Sequence, residues 1–400
     1  MSLYELQRDG DTEELLAMLR ESESAAVRER AAELVEDDLE EAGVATLVEA
    51  ASDDPDPDVR AAAVDALDRQ GLSALEAFLA DLAGVDAGGA DWTRAESMVE
   101  VLDHDDPEAR MAAATVLGSL DAPEAAPSLA NRLDDPDPRV RERAATACGR
   151  LGVPGVRSAL EAALDDAVPD VRREAASALG AIGGDRAVAV LRDALEDPDA
   201  SVRREAATAL GSFGTPAAVP DLVAALSDDA EAVRRAAVYS VVQLLSEAPP
   251  DRSHEVRESV VEELQTVEGS AVTEPLVTLL EESDQSGYRQ NATWLLGRIG
   301  DGDDRRTVRA LVDALDDDDA TARFAATSLA AIGGTAVEGN LLDVVEDEGA
   351  SSDARAMAAF TLGKVGGERA RERLGRVVDE TDDPEVRKRS FSALSKLGGV

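Results

Sequence analysis

The chain of 400 residues contains few of the residue types from which active sites are built. Aromatic side chains make up 2% of it, and it has two histidines and one cysteine, Cys148. A single cysteine excludes an internal disulfide, and two histidines cannot form a histidine-rich metal site. No apolar run reaches the length of about 18 residues that a membrane span needs, and the first residues lack the features of a signal peptide. We therefore expect a soluble, cytoplasmic protein.

Positive charge is also scarce. The chain has 84 Asp and Glu residues against 40 Lys and Arg residues, which gives a formal charge of −44. In roughly molar salt the Debye length is only about 3 Å, so dense carboxylates no longer repel each other over distance. The acidity therefore indicates a halophilic protein from a salt-saturated cytoplasm more than it indicates a partner.

The abundant residues form a repeat whose most regular feature is an anchor arginine. From Arg110 to Arg234, each anchor follows the one before by 31 residues, a length that suits one helical hairpin. The anchors are Arg28, Arg60, Arg110, Arg141, Arg172, Arg203, Arg234, Arg257, Arg289, Ala322, Arg355 and Arg387.

Helix start and stop signals surround the anchors and predict that each lies on the second helix of a hairpin, here called helix B. An N-cap residue stands four positions before most anchors, and a proline often follows it at the first helical position. The caps are Ser24, Asp56, Asp106, Asp137, Asp199, Ser253, Asp318, Ser351 and Asp383, and the prolines are Pro57, Pro107, Pro138, Pro169 and Pro384. Glycines that can close a helix in the left-handed conformation stand eleven positions after the anchor, at Gly71, Gly152, Gly183, Gly214, Gly300, Gly333, Gly366 and Gly398.

A second set of glycines lies inside helix B, where glycine should cost about 1 kcal/mol relative to alanine. These are Gly118, Gly149, Gly180, Gly211, Gly297 and Gly363. Their fixed position in the repeat predicts that neighbouring B helices approach closely there.

This repeat resembles the HEAT repeat, in the short form found in phycobilin lyases, most clearly in residues 134–152, 168–184 and 197–215. The resemblance implies an all-α fold, a right-handed α-solenoid of about twelve helical hairpins. It also implies that the Asp six residues before an anchor and the anchor Arg form a ladder between successive repeats. The spacing changes between Arg60 and Arg110 and again after Arg234, which predicts three stacked segments, residues 1–88, 89–248 and 249–400.

No constellation of residues predicts catalysis, a metal site or a cofactor. HEAT proteins that hydroxylate deoxyhypusine use several His-Glu pairs, whereas this chain has only His254-Glu255, and His104 stands apart from it. Cys148 occupies a position that leucine fills in the next repeats, so we interpret it as a small buried hydrophobe. The resemblance to phycobilin lyases leaves a lyase-like enzyme, or an enzyme subunit, as the alternative function.

The positions one, five and nine residues after the anchor face away from the predicted core, and in HEAT solenoids they form the concave face. Arginines and aromatic residues concentrate there, and these residue types are enriched in binding hot spots. The candidate binding residues are Arg173, Arg204, Arg235, Tyr239, Trp294 and Phe360. In the alternative interpretation the cations only neutralise neighbouring carboxylates.

The sequence thus predicts a non-catalytic scaffold or adaptor whose concave groove binds another protein. Nucleic acid is disfavoured as a partner because the net charge opposes phosphate, and no small-molecule substrate is evident. A further resemblance, to acidic HEAT proteins that act as adaptors in archaeal taxis signalling, suggests a pathway.

The charge generates the first prediction. In dilute buffer the self-repulsion of the carboxylates should loosen the fold, because the screening that molar salt provides is lost. Circular dichroism across a potassium chloride titration should show helix signal falling as salt is removed. Full helix content at low salt would contradict the halophile interpretation.

Overall fold

A computed structural model describes residues 11–84, 90–120, 122–264 and 269–398. These residues form α-helices and short 3₁₀ turns, with no strand among them. They belong to two compact units, Met1–Ala194 and Leu195–Val400. No helix within the described ranges is both long and apolar enough to cross a membrane.

The first unit contains twelve described α-helices. They are α1 (Thr12–Glu21), α2 (Ala25–Leu34), α3 (Glu41–Asp53), α4 (Pro57–Arg69), α5 (Leu72–Ala83), α6 (Asp91–Val101), α7 (Pro107–Ser119), α8 (Ala126–Asn131), α9 (Pro138–Leu151), α10 (Arg157–Ala163), α11 (Pro169–Ile182) and α12 (Asp185–Ala194). Its B helices are α2, α4, α7, α9 and α11, and neighbouring B helices pack side by side.

The second unit also contains twelve described α-helices. They are α13 (Ala200–Gly211), α14 (Val219–Ala224), α15 (Glu231–Glu247), α16 (Ser253–Leu264), α17 (Gly269–Glu282), α18 (Ser286–Ile299), α19 (Arg305–Asp313), α20 (Asp319–Ile332), α21 (Thr335–Glu346), α22 (Ser352–Val365), α23 (Glu368–Glu380) and α24 (Pro384–Lys396). Its B helices are α13, α15, α18, α20, α22 and α24. The predicted all-α fold of repeated helical hairpins is confirmed.

Most predicted helix boundaries are also confirmed. The five prolines each begin a helix, and several predicted caps, among them Asp137 and Asp318, accept backbone N–H groups of the first turn. Ser253 is an exception, because it is the first residue of α16 and not its cap. Gly300 and Gly366 end their helices in extended conformations with φ of −70° and −72°, so the left-handed conformation predicted for them is wrong.

The glycines inside the B helices lie where two B helices come closest, as predicted. A Cβ built on Gly149 would stand 2.8 Å from Cα and 2.9 Å from Cβ of Ala178 on the next B helix. A Cβ on Gly118 would stand at the same distances from the corresponding atoms of Ala147. Glycine is required at these positions because any side chain would collide with the neighbouring backbone.

Five of the anchor arginines form rungs of the predicted ladder, whereas others, such as Arg234, donate to the carbonyls of their own turn. In each rung, one guanidinium donates two hydrogen bonds to a single aspartate of the next repeat and a third to a carbonyl in its own hairpin turn. The closest N–O distance in each rung is 2.6–2.8 Å. The rungs are Arg28–Asp54, Arg110–Asp135, Arg141–Asp166, Arg203–Asp228 and Arg289–Asp317. The aspartate also accepts a backbone N–H of its own turn in rungs such as Asp135 and Asp166. Each of these rungs therefore ties one hairpin turn to the next.

The hydrogen bond from a ladder arginine lowers the pKa of the aspartate that accepts it, as at Asp228. The Arg203 guanidinium lowers the pKa of Asp228 to about 2. Because the pKa in the folded state lies below the unfolded value of about 4, this rung stabilises the fold above that pH and its contribution is lost as the pH falls toward 2.

Both changes in repeat spacing come from an additional helix. Between the B helices α4 and α7 the chain forms two helices, α5 and α6, and both pack on α7. Between the B helices α15 and α18 it forms α16 and α17. Helix α16 packs mainly on α14, the first helix of the preceding hairpin. The assignment of Arg257, on α16, as an anchor of a B helix is therefore wrong. The division into three segments stays a prediction.

Helix α7 is buried on all sides. Every residue from Glu108 to Gly118 is buried, including Thr115, which was expected to face solvent and is 6% exposed. The reason is that α9 reaches across α7 to α4: Arg143 pairs with Asp65, and Arg139 Nη1 donates to the Pro57 carbonyl at 2.7 Å. The surface predicted to be an open groove is thus closed at this point of the first unit.

The helix contacts predict opposite effects for two Gly→Ala substitutions. Gly149→Ala should lower the free energy of unfolding by about 1 to 3 kcal/mol, because the new methyl group collides with Ala178. Gly375→Ala, on α23, should raise it by about 0.5 to 1 kcal/mol, because nothing lies within 4 Å of the new atom and alanine favours the helix. Denaturant unfolding in molar salt measures both. A stabilised Gly149→Ala variant would refute the close approach.

The ladder predicts that burial, and not distance, decides what an ion pair contributes. Arg110→Ala should lower the free energy of unfolding by about 3 to 5 kcal/mol, because it removes two hydrogen bonds from the carboxylate of Asp135, 4% exposed, and leaves only Arg132 at 3.7 Å. Arg306→Ala is the control, because Arg306 pairs with Glu274 at 2.5 Å but the two side chains are 51% and 71% exposed. It should cost less than about 1 kcal/mol. If both variants lost the same free energy of unfolding, burial would not be what makes the rung stabilising.

Candidate binding face

Arg173, the candidate in the first unit, is surrounded by carboxylates. Its guanidinium nitrogens lie 2.5 Å from Asp170, 3.1 Å from Glu174 and 3.4 Å from Glu142, on α11 and the neighbouring α9. An anionic partner would have to displace these three groups. The environment of Arg173 is the one that the charge-balance alternative predicts.

The candidates Arg204 and Arg235 are differently placed. They lie on α13 and α15, which pack against each other, and both side chains are exposed. Neither pairs with a carboxylate of the described residues. Tyr239, one turn beyond Arg235, is half-buried and lines a shallow hollow of about 470 Å³ together with Arg235 and Pro275 of α17. These residues offer positive charge beside an aromatic ring.

Trp294 on α18 lies between two cations. The guanidinium carbon of Arg257 is 4.9 Å from the centre of its ring, and that of Arg298 is 5.6 Å away. Arg298 was predicted on this face, since it follows Trp294 by one helical turn. The position of Arg257 was missed, because no residue pattern indicates that α16 is an additional helix that brings its side chains to this ring.

Phe360 on α22 repeats the arrangement with lysines. The Nζ atoms of Lys364 and Lys396 lie 4.7 Å and 4.9 Å from the centre of its ring. Lys364 follows Phe360 by one turn, and Lys396 lies on the next B helix, α24. Two of the chain's three lysines therefore lie over one half-buried aromatic ring. Such cation–π contacts contribute about 0.5–1 kcal/mol each at exposed sites.

A hollow of about 600 Å³ lies between α18 and α20, with Trp294 on one side and Phe324 on the other. Its floor is made of small residues, including Gly297, Ala320 and Ala331. Phe324 stands two positions after the anchor, outside the three positions from which the face was predicted, so sequence reasoning missed it. The hollow is apolar inside, and Arg298 and Arg323 line it as well.

The residues considered for catalysis are not arranged for it. Cys148 is fully buried, and burial raises the pKa of its thiol to about 12, so the thiol is protonated at neutral pH. The His254 imidazole is exposed and lies 3.3 Å from Glu258, and His104 Nδ1 accepts the backbone N–H of Asp106. No cluster of three or more potential metal ligands occurs within the described ranges.

Comparison with known proteins identifies the repeat. The family model for HEAT repeats matches residues 12–98, 95–178, 158–242 and 240–331. The chain belongs to the HEAT-repeat family. The resemblance predicted from the anchor arginines is thereby confirmed.

One relative matches over the whole chain. A HEAT repeat-containing taxis protein of Halobacterium salinarum is 52% identical over 407 residues, which span 100% of this chain and 99% of the relative. The source of this relative is a halophile, in agreement with the prediction from the net charge.

Two solved structures match this chain at low similarity. A crystal structure of an engineered protein is 22% identical, with a TM-score of 0.46, and the match covers 97% of this chain and 99% of that chain. The complex of CpcE and CpcF of phycocyanin lyase from Nostoc is also 22% identical, with a TM-score of 0.37, and the match covers 63% of this chain and 94% of that chain. At these scores neither likeness bears on function.

Proposed function

We propose that this HEAT-repeat protein is a non-catalytic adaptor in taxis signalling, and that it binds a partner protein through the B helices of its second unit. The binding face consists of Arg204, Arg235, Tyr239, Trp294 and Phe360, with the cations that cover the two last rings. The taxis context comes from the relative that is 52% identical across both full lengths.

The observation that carries the proposal is the presence of unpaired cations beside aromatic rings. Within the described part of the chain, Arg257, Arg298, Lys364 and Lys396 form no ion pair, although the chain has 84 acidic residues. Arginine used for structure behaves differently, because the ladder arginines each contact an aspartate. Cations left without carboxylates, next to half-buried aromatic rings, are the anchors that protein interfaces use.

The partner class follows from charge. A nucleic acid is bound through many phosphate contacts whose strength falls steeply as salt rises, and the cations on this face are few. A folded partner protein can place a few anionic groups on the cations and keep the rest of its charge distant. The lyase-like alternative gains no support from the chain's residues, because the thiol of Cys148 is buried and protonated.

Charge reversal on the face tests the proposal. Arg204→Glu should weaken partner binding by about 1 to 2 kcal/mol, because a repelling charge replaces an attracting one. Its effect on folding should stay below about 0.5 kcal/mol, since the side chain is exposed. Arg309→Glu is the matched control, because it makes the same charge change at an exposed position, 82% exposed, on the first helix of a hairpin.

Two measurements decide the outcome. In a strain lacking the gene, the wild type and Arg309→Glu should restore the spreading of cells in semi-solid agar, and a double Arg204→Glu, Trp294→Ala variant should not. Titration calorimetry in molar salt, with the protein that co-purifies with the wild type, should rank the variants in the same order. Normal taxis in the deletion strain, or equal affinity of all variants, would overturn the proposal.

A further inference from the structure

The Arg257 guanidinium has fewer hydrogen-bond acceptors around it than it has N–H groups to donate. Its guanidinium is half-buried, and its contacts within the described ranges are one hydrogen bond from Nη2 to Asn291 Oδ1, at 3.2 Å, and the face of Trp294. Asn291 is held in turn, because its Nδ2 donates to Ser246 Oγ at 2.8 Å. Burial lowers the pKa of Arg257, and no carboxylate offsets the loss of water. The other nitrogens of Arg257 are therefore free to donate to an incoming anion.

A hollow of about 480 Å³ opens beside Arg257, and the hollow of about 600 Å³ lies on the other side of Trp294. Both hollows are lined by Trp294 and Arg298, so these two side chains form the ridge between them. The first hollow also has Glu258 and Glu262 on its wall, but neither pairs with Arg257, and Glu258 lies beside His254. The second hollow has the small residues Gly297, Ala320 and Ala331 at its base, and Phe324 borders it. One side is therefore suited to an anion, and the other to an apolar group.

We propose that these two hollows together, the Trp294 site, bind a short acidic segment of the partner protein. A carboxylate of the segment hydrogen-bonds to Arg257 and Arg298, and a large apolar side chain a few residues away fills the hollow between Trp294 and Phe324. This inference rests on the proposed function and adds the chemistry of the segment that is recognised.

Charge complementarity favours a carboxylate at this place. Arginine binds carboxylates with two parallel hydrogen bonds, and the ladder of this chain uses that geometry repeatedly. Contact with the Trp294 ring and the hydrogen bond to Asn291 restrain the Arg257 guanidinium, so less side-chain entropy is lost when the anion binds. One or two carboxylates can be matched by Arg257 and Arg298, whereas a polyphosphate or a nucleic acid would place further negative charge beside Glu258 and Glu262.

Apolar contact is the second requirement, because salt weakens charge attraction in the conditions that the acidic surface implies. With a Debye length of about 3 Å in molar salt, only ions in direct contact attract each other strongly. Burial of an aromatic or aliphatic side chain is not screened in this way, and salts excluded from the surface strengthen it. A segment that combines both features is therefore bound better than an acidic segment alone.

The test is a selection from a library of random peptides. The full-length protein is immobilised in molar potassium chloride, and peptides displayed on phage are selected on the wild type and on Arg257→Gln, Trp294→Ala and Arg309→Gln. Wild type and Arg309→Gln should enrich peptides that carry Asp or Glu together with Phe, Leu, Ile, Trp or Met. Arg257→Gln and Trp294→Ala should not enrich them. Melting curves followed by circular dichroism establish that the variants are folded.

Synthetic peptides from the selection give the quantitative readout. Replacing the acidic residue of a selected peptide with its amide, or its large apolar residue with Ser, should each weaken binding to the wild type by at least about tenfold. Arg257→Lys should retain part of the affinity that Arg257→Gln loses, because it keeps the charge but not the planar fork. Peptides without acidic residues, no enrichment on the wild type, or full displacement by inorganic phosphate would each overturn the inference.

The two proposals fail in distinguishable ways. If Trp294→Ala and Arg257→Gln support normal taxis and bind no selected peptide, while Arg204→Glu abolishes taxis, the adaptor proposal stands and the Trp294 site is not the place of recognition. If the deletion strain shows normal taxis but the peptide selection succeeds as described, the Trp294 site stands and the taxis role fails.

Discussion

The contact on which the rest of the structure depends is the approach of one B helix to the next, with glycine against alanine or serine. At Gly149 and at Gly211 the neighbouring Cα would lie 2.8 Å from any added Cβ. Since no side chain fits between the helices there, larger side chains are placed to either side of the contact. At Gly297 the same contact leaves a surface without side chains at the base of the hollow, and the Trp294 and Phe324 rings line its sides. The hollow is thus a consequence of how the repeats pack.

Arginines of the B helices have different surroundings at different places in the two units. In the first, Arg139 and Arg143 connect α9 to α4 and close the surface above α7, and Arg173 is neutralised by three neighbours. Burial there raises the pKa of Asp65, yet its partner Arg143 remains in contact with it. In the second unit, the cations over Trp294 and Phe360 are left without carboxylates. These cations stay unpaired although the chain has 84 acidic residues, two of which, Glu258 and Glu262, line the hollow beside Arg257.

The sequence predicted what the repeat determines locally. Caps, first-turn prolines, the ladder and the close contact at the inner glycines all follow from residue type at a fixed position, so one repeat is evidence for the next. It could not predict what depends on interruptions of the repeat. Arg257 has the appearance of an anchor, but the insertion of α16 directs it to the ring of Trp294. Thr115 has the appearance of a surface residue, but contacts between α9 and α4, more than 70 residues apart in sequence, cover it. Such contacts have no local signal.

High salt explains why recognition would rely on cations that lie on aromatic rings. When the Debye length is about 3 Å, an exposed arginine attracts a partner only on contact, so long-range steering by charge is lost. An arginine that contacts a tryptophan ring and is half-buried, as Arg257 is, is partly shielded from water, and a buried ion pair is screened far less than an exposed one. The apolar hollow on the other side of the same ring adds affinity that salt does not weaken. Trp294, in contact with both, couples the two kinds of interaction in a single residue.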